Sequence, residues 1–171
     1  MKRWTSNEIA EDFKSFIKKL DKIHPNPYRF ISKESLKKRL SKLLSKYERI
    51  DHSTFIFEFM KIFCKIGDSH TRIRGFDKLL SQKEYPFRVK LLNDTYYIVA
   101  VDCKHQKYIG SKILSLNGVS IKDIVSKMSA VITHENEVVL SNGVQAWISD
   151  LDLLKYLDIV KEDLILNIEN R

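Results

Sequence analysis

The spacing of apolar residues changes once along this chain, close to Gly67, and that change limits the folds open to it. Before it, apolar side chains recur at the period of a helix with one buried face. After it, they alternate at the period of a strand. Neither an all-helical bundle nor an all-β sandwich has this order. The expected class is α+β, with an N-terminal helical cluster followed by a β-rich module.

The first part predicts three helices. Thr5 and Glu8 have capping-box spacing, and Ile9, Phe13, Phe16, Ile17, Leu20 and Ile23 follow as one apolar stripe of a helix over 6–23. Pro25 and Pro27 in HPNPYRF cannot continue it. Ser32 opens a second helix over 33–48, with Leu36, Leu40, Leu43, Leu44 and Tyr47 inward. Asp51 or Ser53 opens a third over 53–66, with Phe55, Phe59, Ile62, Phe63 and Ile66 inward and Gly67 at its end.

The second part predicts strands. HTRIRG (70–75) reads as a short one. PFRVKLL (86–92) and TYYIVAVD (95–102) alternate and flank Asn93-Asp94, as in a β-hairpin. KILSLNG (112–118) is a strand ending at a tight Asn-Gly turn, with Ile113, Leu114 and Leu116 buried. Ser120 caps a helix, further helical stretches fall near 135–141 and 150–157, and DLILNIE (163–169) closes the module. The expected division is a helical region over 1–75 and a β-rich module over 76–171, with a helical insertion at about 133–162.

Charge is uneven. Residues 1–50 carry 14 Lys and Arg against six Asp and Glu, which accounts for the whole net charge of +8. Such a field attracts nucleic acid or an acidic partner. Yet the lysines alternate with core leucines in KKRLSKLLSKYER, as on solvated helix faces, and no nucleic-acid motif accompanies them. No nucleic-acid partner is expected. No apolar run approaches the ~18–20 residues of a membrane span. The charged start MKRWTSNEIAEDF shows no signal peptide, so the default compartment is cytoplasmic, with Cys64 and Cys103 as reduced thiols. The five histidines show no i, i+4 pair, and no metal or cofactor is expected.

GSKILSLNGVSIKDIV (110–125) resembles the PDZ signature, with Ser111 where the acidic residue usually stands. HPNPYRF, then IGDSHTRI, then PFRVK ahead of that module together resemble the N-terminal half of tail-specific (C-terminal processing) serine peptidases and their tricorn-like relatives. The resemblance implies a helical region and a PDZ-like module placed before an α/β catalytic domain, with a polypeptide substrate. It also implies a partner catalytic domain, in cis or in trans. The nucleophilic serine of that family follows the last PDZ-like strand, and no Gly-x-Ser-x-Gly elbow or Ser-x-x-Lys arrangement in suitable context is visible here. The expectation is a truncated gene product or an excised domain, inactive alone as a peptidase.

Two places carry candidate chemistry. In the tricorn-like branch a Ser-His pair supplies the general base, and Ser69-His70 occupies the matching position. An imidazole suits that task because it exchanges protons near neutrality. In the other branch, which uses a Ser/Lys dyad, the histidine is structural and Asp68 caps a turn. Both readings of His70 stay open. For peptide binding, the carboxylate loop of a PDZ groove matches Tyr85-Pro86-Phe87-Arg88, making Tyr85, Phe87 and Arg88 the candidate contacts. This loop lacks a glycine run, Pro86 removes one N–H donor, and Arg88 adds a positive charge. The alternative of a different class is a free-standing interaction module that binds an acidic partner through the basic helical face of residues 1–50.

Overall fold

The computed structural model describes residues 4–71 and 80–170. The chain runs α1 (Ser6–Ile23), α2 (Lys33–Leu44), α3 (His52–Phe63), β1 (Phe87–Leu92), β2 (Thr95–Val101), β3 (Lys112–Leu116), β4 (Val119–Ser120), α4 (Ile121–Ser129), α5 (Glu137–Trp147), α6 (Leu151–Tyr156) and β5 (Leu166–Glu169). This is an α+β architecture, helices first and a five-stranded antiparallel sheet second. The strand expected at 70–75 and the division at 75/76 fall largely or wholly on residues outside the described ones.

The helix starts follow their capping chemistry. The Thr5 hydroxyl accepts from Glu8 N–H while the Glu8 carboxylate accepts from Thr5 N–H, so two otherwise unpaired donors are satisfied. Ser32 caps α2 and Asp51, rather than Ser53, caps α3. The second helix ends at Leu44, and Tyr47–Arg49 forms a separate 3-10 turn. After α3 the chain tightens into a 3-10 turn, Cys64–Ile66, that ends on Gly67 at φ 72°. A side chain there meets two obstacles, because that φ disfavours L-residues and a Cβ would lie 2.5 Å from Phe30 Cδ2.

Helix α3 is buried on two sides. Phe55, Ile62 and Phe63 join α1 and α2 in one apolar core. Ile56 and Phe57 enter a second core with the sheet and α4–α6. Phe57 is fully buried there, 5.1 Å from the ring of Tyr156. A helix apolar nearly all round is one that must be covered all round, and HSTFIFEFMKIF is such a sequence.

Asn93-Asp94 turns β1 into β2 with both residues at positive φ, and Asn117-Gly118 does the same between β3 and β4. Strand β3 is the hub. Its Lys112 pairs with both Tyr97 of β2 and Glu169 of β5, and its Leu116 with both Val119 of β4 and Leu166 of β5. Strands β2 and β4 therefore share one edge of β3, and β5 takes the other. A bulge between Ile113 and Ser115 keeps Ile113 and Leu116 inward across an odd spacing. It also turns Leu114 outward to 36% exposure, which corrects the expectation that Leu114 is buried.

Residues 137–156 belong to the sheet core, where Leu140, Val144, Leu153 and Leu154 are buried. Helix α5 runs through Gly143, where a Cβ would lie 2.5 Å from Ile132 Cγ2. This helix lies along β1. Gln145 Oε1 accepts from Leu91 N–H on the outer edge of β1 (3.2 Å), and its Nε2 is anchored on Ser141 O (3.0 Å).

Candidate functional site

Ser69 and His70 sit on the turn that leaves Gly67, and Asp68 organises that turn. Asp68 Oδ1 accepts the His70 N–H (3.0 Å), and Oδ2 accepts the Thr71 hydroxyl (2.7 Å). The Thr71 N–H returns to Asp68 O (3.2 Å). The remaining contact comes from far along the chain. His24, which ends α1 with its own N–H on Leu20 O, places Nε2 3.0 Å from Asp68 Oδ2. Asn26 N–H donates to His24 Nδ1 (3.1 Å), so the ring proton lies on Nε2 and points at the carboxylate. Burial alone raises the Asp68 pKa. The donors from His70, Thr71 and His24 outweigh it and hold the carboxyl below its ordinary value.

The imidazole of His70 itself is exposed, and its ring makes no hydrogen bond to the described residues. Among those residues no hydroxyl or thiol is hydrogen-bonded to that ring. HPNPYRF and IGDSHTRI, distant in sequence, nonetheless meet through His24 and Asp68, a pairing the sequence reasoning missed. The only signal for it is that a histidine at a helix end leaves its Nε2 free for a partner.

At the second place, Tyr85 and Phe87 line one apolar cavity of about 350 Å³ with Ile98, Tyr108, Leu164 and Ile168. Phe87 is its buried floor. The Tyr85 hydroxyl donates to Glu162 O (3.2 Å) at the rim. Arg88 does not line that cavity but joins Tyr85 and Phe87 in an adjoining, more open depression with Glu84, Ala100 and Asp102. It pairs with Glu84, and its Nη1 donates to the buried Ser149 hydroxyl (2.8 Å). The charge expected to greet a peptide carboxylate is already matched.

The backbone donors here are also occupied. Tyr85 N–H donates to Ser149 O and Phe87 N–H to Tyr85 O, both at 2.8 Å, and Pro86 has none to give. A carboxylate needs convergent free N–H groups, and this corner offers none at 85–87. Acidic groups sit beside it. Asp150 caps α6 by accepting Leu153 N–H (2.7 Å), and its pKa is raised by burial and by the neighbouring Asp152 and Glu84 charges, against the Leu153 bond. Glu84 pairs in a strand-like bridge with the Asp150 segment.

Among the described residues no cluster of His, Cys, Asp and Glu could hold a metal ion, and no helix is long and apolar enough to cross a membrane. Both cysteines are free thiols, with burial pushing Cys64 up to about 11. Comparison with known proteins finds no matching family model, no matching curated protein and no matching solved structure.

Proposed function

We infer that this chain is the non-catalytic N-terminal region of a tail-specific or tricorn-like serine peptidase, in which a helical cap and a PDZ-like module recognise or gate a polypeptide and present His70. Its support is the order of HPNPYRF, IGDSHTRI, PFRVK and the GSKILSLNG corner along an α+β chain. The observation that carries it is the 67–71 turn. Asp68 and His24 pin its backbone, while the His70 imidazole stays exposed and unused by the described fold. A base lent to a site completed by another domain needs that combination of fixed backbone and unengaged ring. The polypeptide would lie in the apolar cavity beside Tyr85 and Phe87, held by side chains rather than by its terminal carboxylate.

The test is reconstitution. Alone, the chain hydrolyses no casein and takes no stoichiometric label from a fluorophosphonate, because nucleophile, base and oxyanion hole must meet in one place. Proteolysis by the chain alone, with one serine labelled and activity lost on mutating it, overturns the reading. With a catalytic domain of this family added in trans, loss of activity in a folded His70→Ala variant supports the base role, and full activity assigns His70 to structure. Peptides with free hydrophobic C-termini bind more weakly than ~10 μM, about −7 kcal/mol. Tighter binding overturns the proposed mode of recognition.

A further inference from the structure

The first two helices leave a groove between them that the reading above does not use. Phe13 and Ile17 of α1 and Leu40 and Leu44 of α2 form its floor, and its volume is about 500 Å³. Lys14 and Lys18 stand on one bank, Lys33 and Lys37 on the other. The stripe from Ala10 to Asp21 runs about 16 Å at the rise of an α-helix, roughly three turns.

Two of the four lysines make ion pairs. Lys33 holds the Asp21 carboxyl below its ordinary value and Lys37 stands near enough to help, which leaves Lys18 the least matched. Lys33 pairs with Asp21 (2.6 Å), which closes one end of the groove. Lys14 pairs with Glu11 across an exposed surface, where such a pair contributes little. Lys18 and Lys37 are exposed, and neither has an ion-pair partner among the described residues. They lie within the third of the chain that holds its entire net charge.

We propose that this groove docks an acidic amphipathic helix of another protein, its apolar stripe on Phe13, Ile17, Leu40 and Leu44 and its flanking carboxylates against Lys18 and Lys37. A helix fits better than a strand, because both walls are helices whose backbone groups are already paired and have nothing to offer an extended chain. A membrane fits poorly. Three of the four apolar residues are recessed, Phe13 and Ile17 at 8% and Leu40 at 2% exposure, and the partly buried Leu44 alone offers too little surface to enter a bilayer. A second copy brings the same positive charge to the same place.

The probe is a synthetic helical peptide of about three turns with leucines on one stripe and glutamates on both flanks. Its binding to the full chain is read by fluorescence anisotropy at low and moderate salt. The expected result is binding that weakens with salt, is lost when the leucines become serine, and falls about tenfold or more in Lys18→Glu/Lys37→Glu. Lys104→Glu/Lys161→Glu makes the same charge change outside the groove and should cost far less. Circular dichroism checks that both variants keep their helices. No binding, equal losses in the two variants, or full binding by the serine peptide overturns the proposal. So does preferential capture by vesicles of anionic phospholipid, or a dimer in sedimentation that Lys18→Glu/Lys37→Glu dissolves.

Discussion

Tyr156 donates a 2.6 Å hydrogen bond to Glu58 Oε1 and packs its ring against Phe57, so one residue of α6 meets two consecutive residues of α3. Phe57→Ala should therefore cost about 3–5 kcal/mol through the cavity left in the sheet core. Tyr156→Phe keeps the ring and loses the bond, at about 1 kcal/mol, because Glu58 can be rehydrated. Urea unfolding followed by fluorescence and by far-UV circular dichroism measures both. A Phe57→Ala loss below about 1 kcal/mol would mean that α3 is not a shared wall.

The His24–Asp68 contact predicts non-additive effects. Removing either partner leaves the other with less to lose, so His24→Ala and Asp68→Asn should couple by about 0.5–1.5 kcal/mol in a double-mutant cycle. The pH dependence has a definite sign. The Asp68 carboxyl is held below its unfolded value of ~3.9, so its contribution is full above that pH and fades as the pH falls through the folded value. Asp68→Asn should flatten the acid limb of the stability curve below about pH 4.

Asp150 runs the other way. Its pKa is raised in the folded protein, so its protonated form favours folding and stability is lost as the pH rises above the unfolded value of ~3.9. Asp150→Asn keeps an acceptor for Leu153 N–H without the charge. It should match or exceed the parent at pH 7 and lose that advantage near pH 4. Asp150→Ala removes the cap and should cost about 1 kcal/mol. Denaturant midpoints of the three proteins at the two pH values decide it.

Tyr47 is 2% exposed, and its hydroxyl finds no hydrogen-bond partner among the described residues. A buried hydroxyl without a partner costs about 1–3 kcal/mol. The ring meets Phe55 edge-on at 4.8 Å and should stay where it is. Tyr47→Phe is therefore expected to raise the melting temperature, and a lower one would reveal a partner for that hydroxyl.

Local chemistry made much of the fold legible. Thr5–Glu8, Ser32 and Ser120 cap helices, and Asn93-Asp94 and Asn117-Gly118 turn the chain, because each motif acts within four residues. Long-range packing was hidden. The second face of α3 carries the same residue types as the first, so periodicity cannot assign Ile56 and Phe57 to another core. Helix α5 outruns its expected end near 141 and continues through Gly143 to Trp147, the glycine leaving room for the close approach of Ile132. At the candidate site the Asp68–Thr71 string was visible, but His24 lies 44 residues away. Arg88 stood out as a cation, whereas Glu84 and Ser149, which engage it, did not.

Strand β1 ends the sheet order, and the outermost strand of any sheet is a template on which identical molecules can stack. The amide of Gln145, anchored on its own helix, takes the Leu91 N–H that such a stack would use. One donor of that edge is therefore already spent inside the molecule, on a helix that lies along the strand.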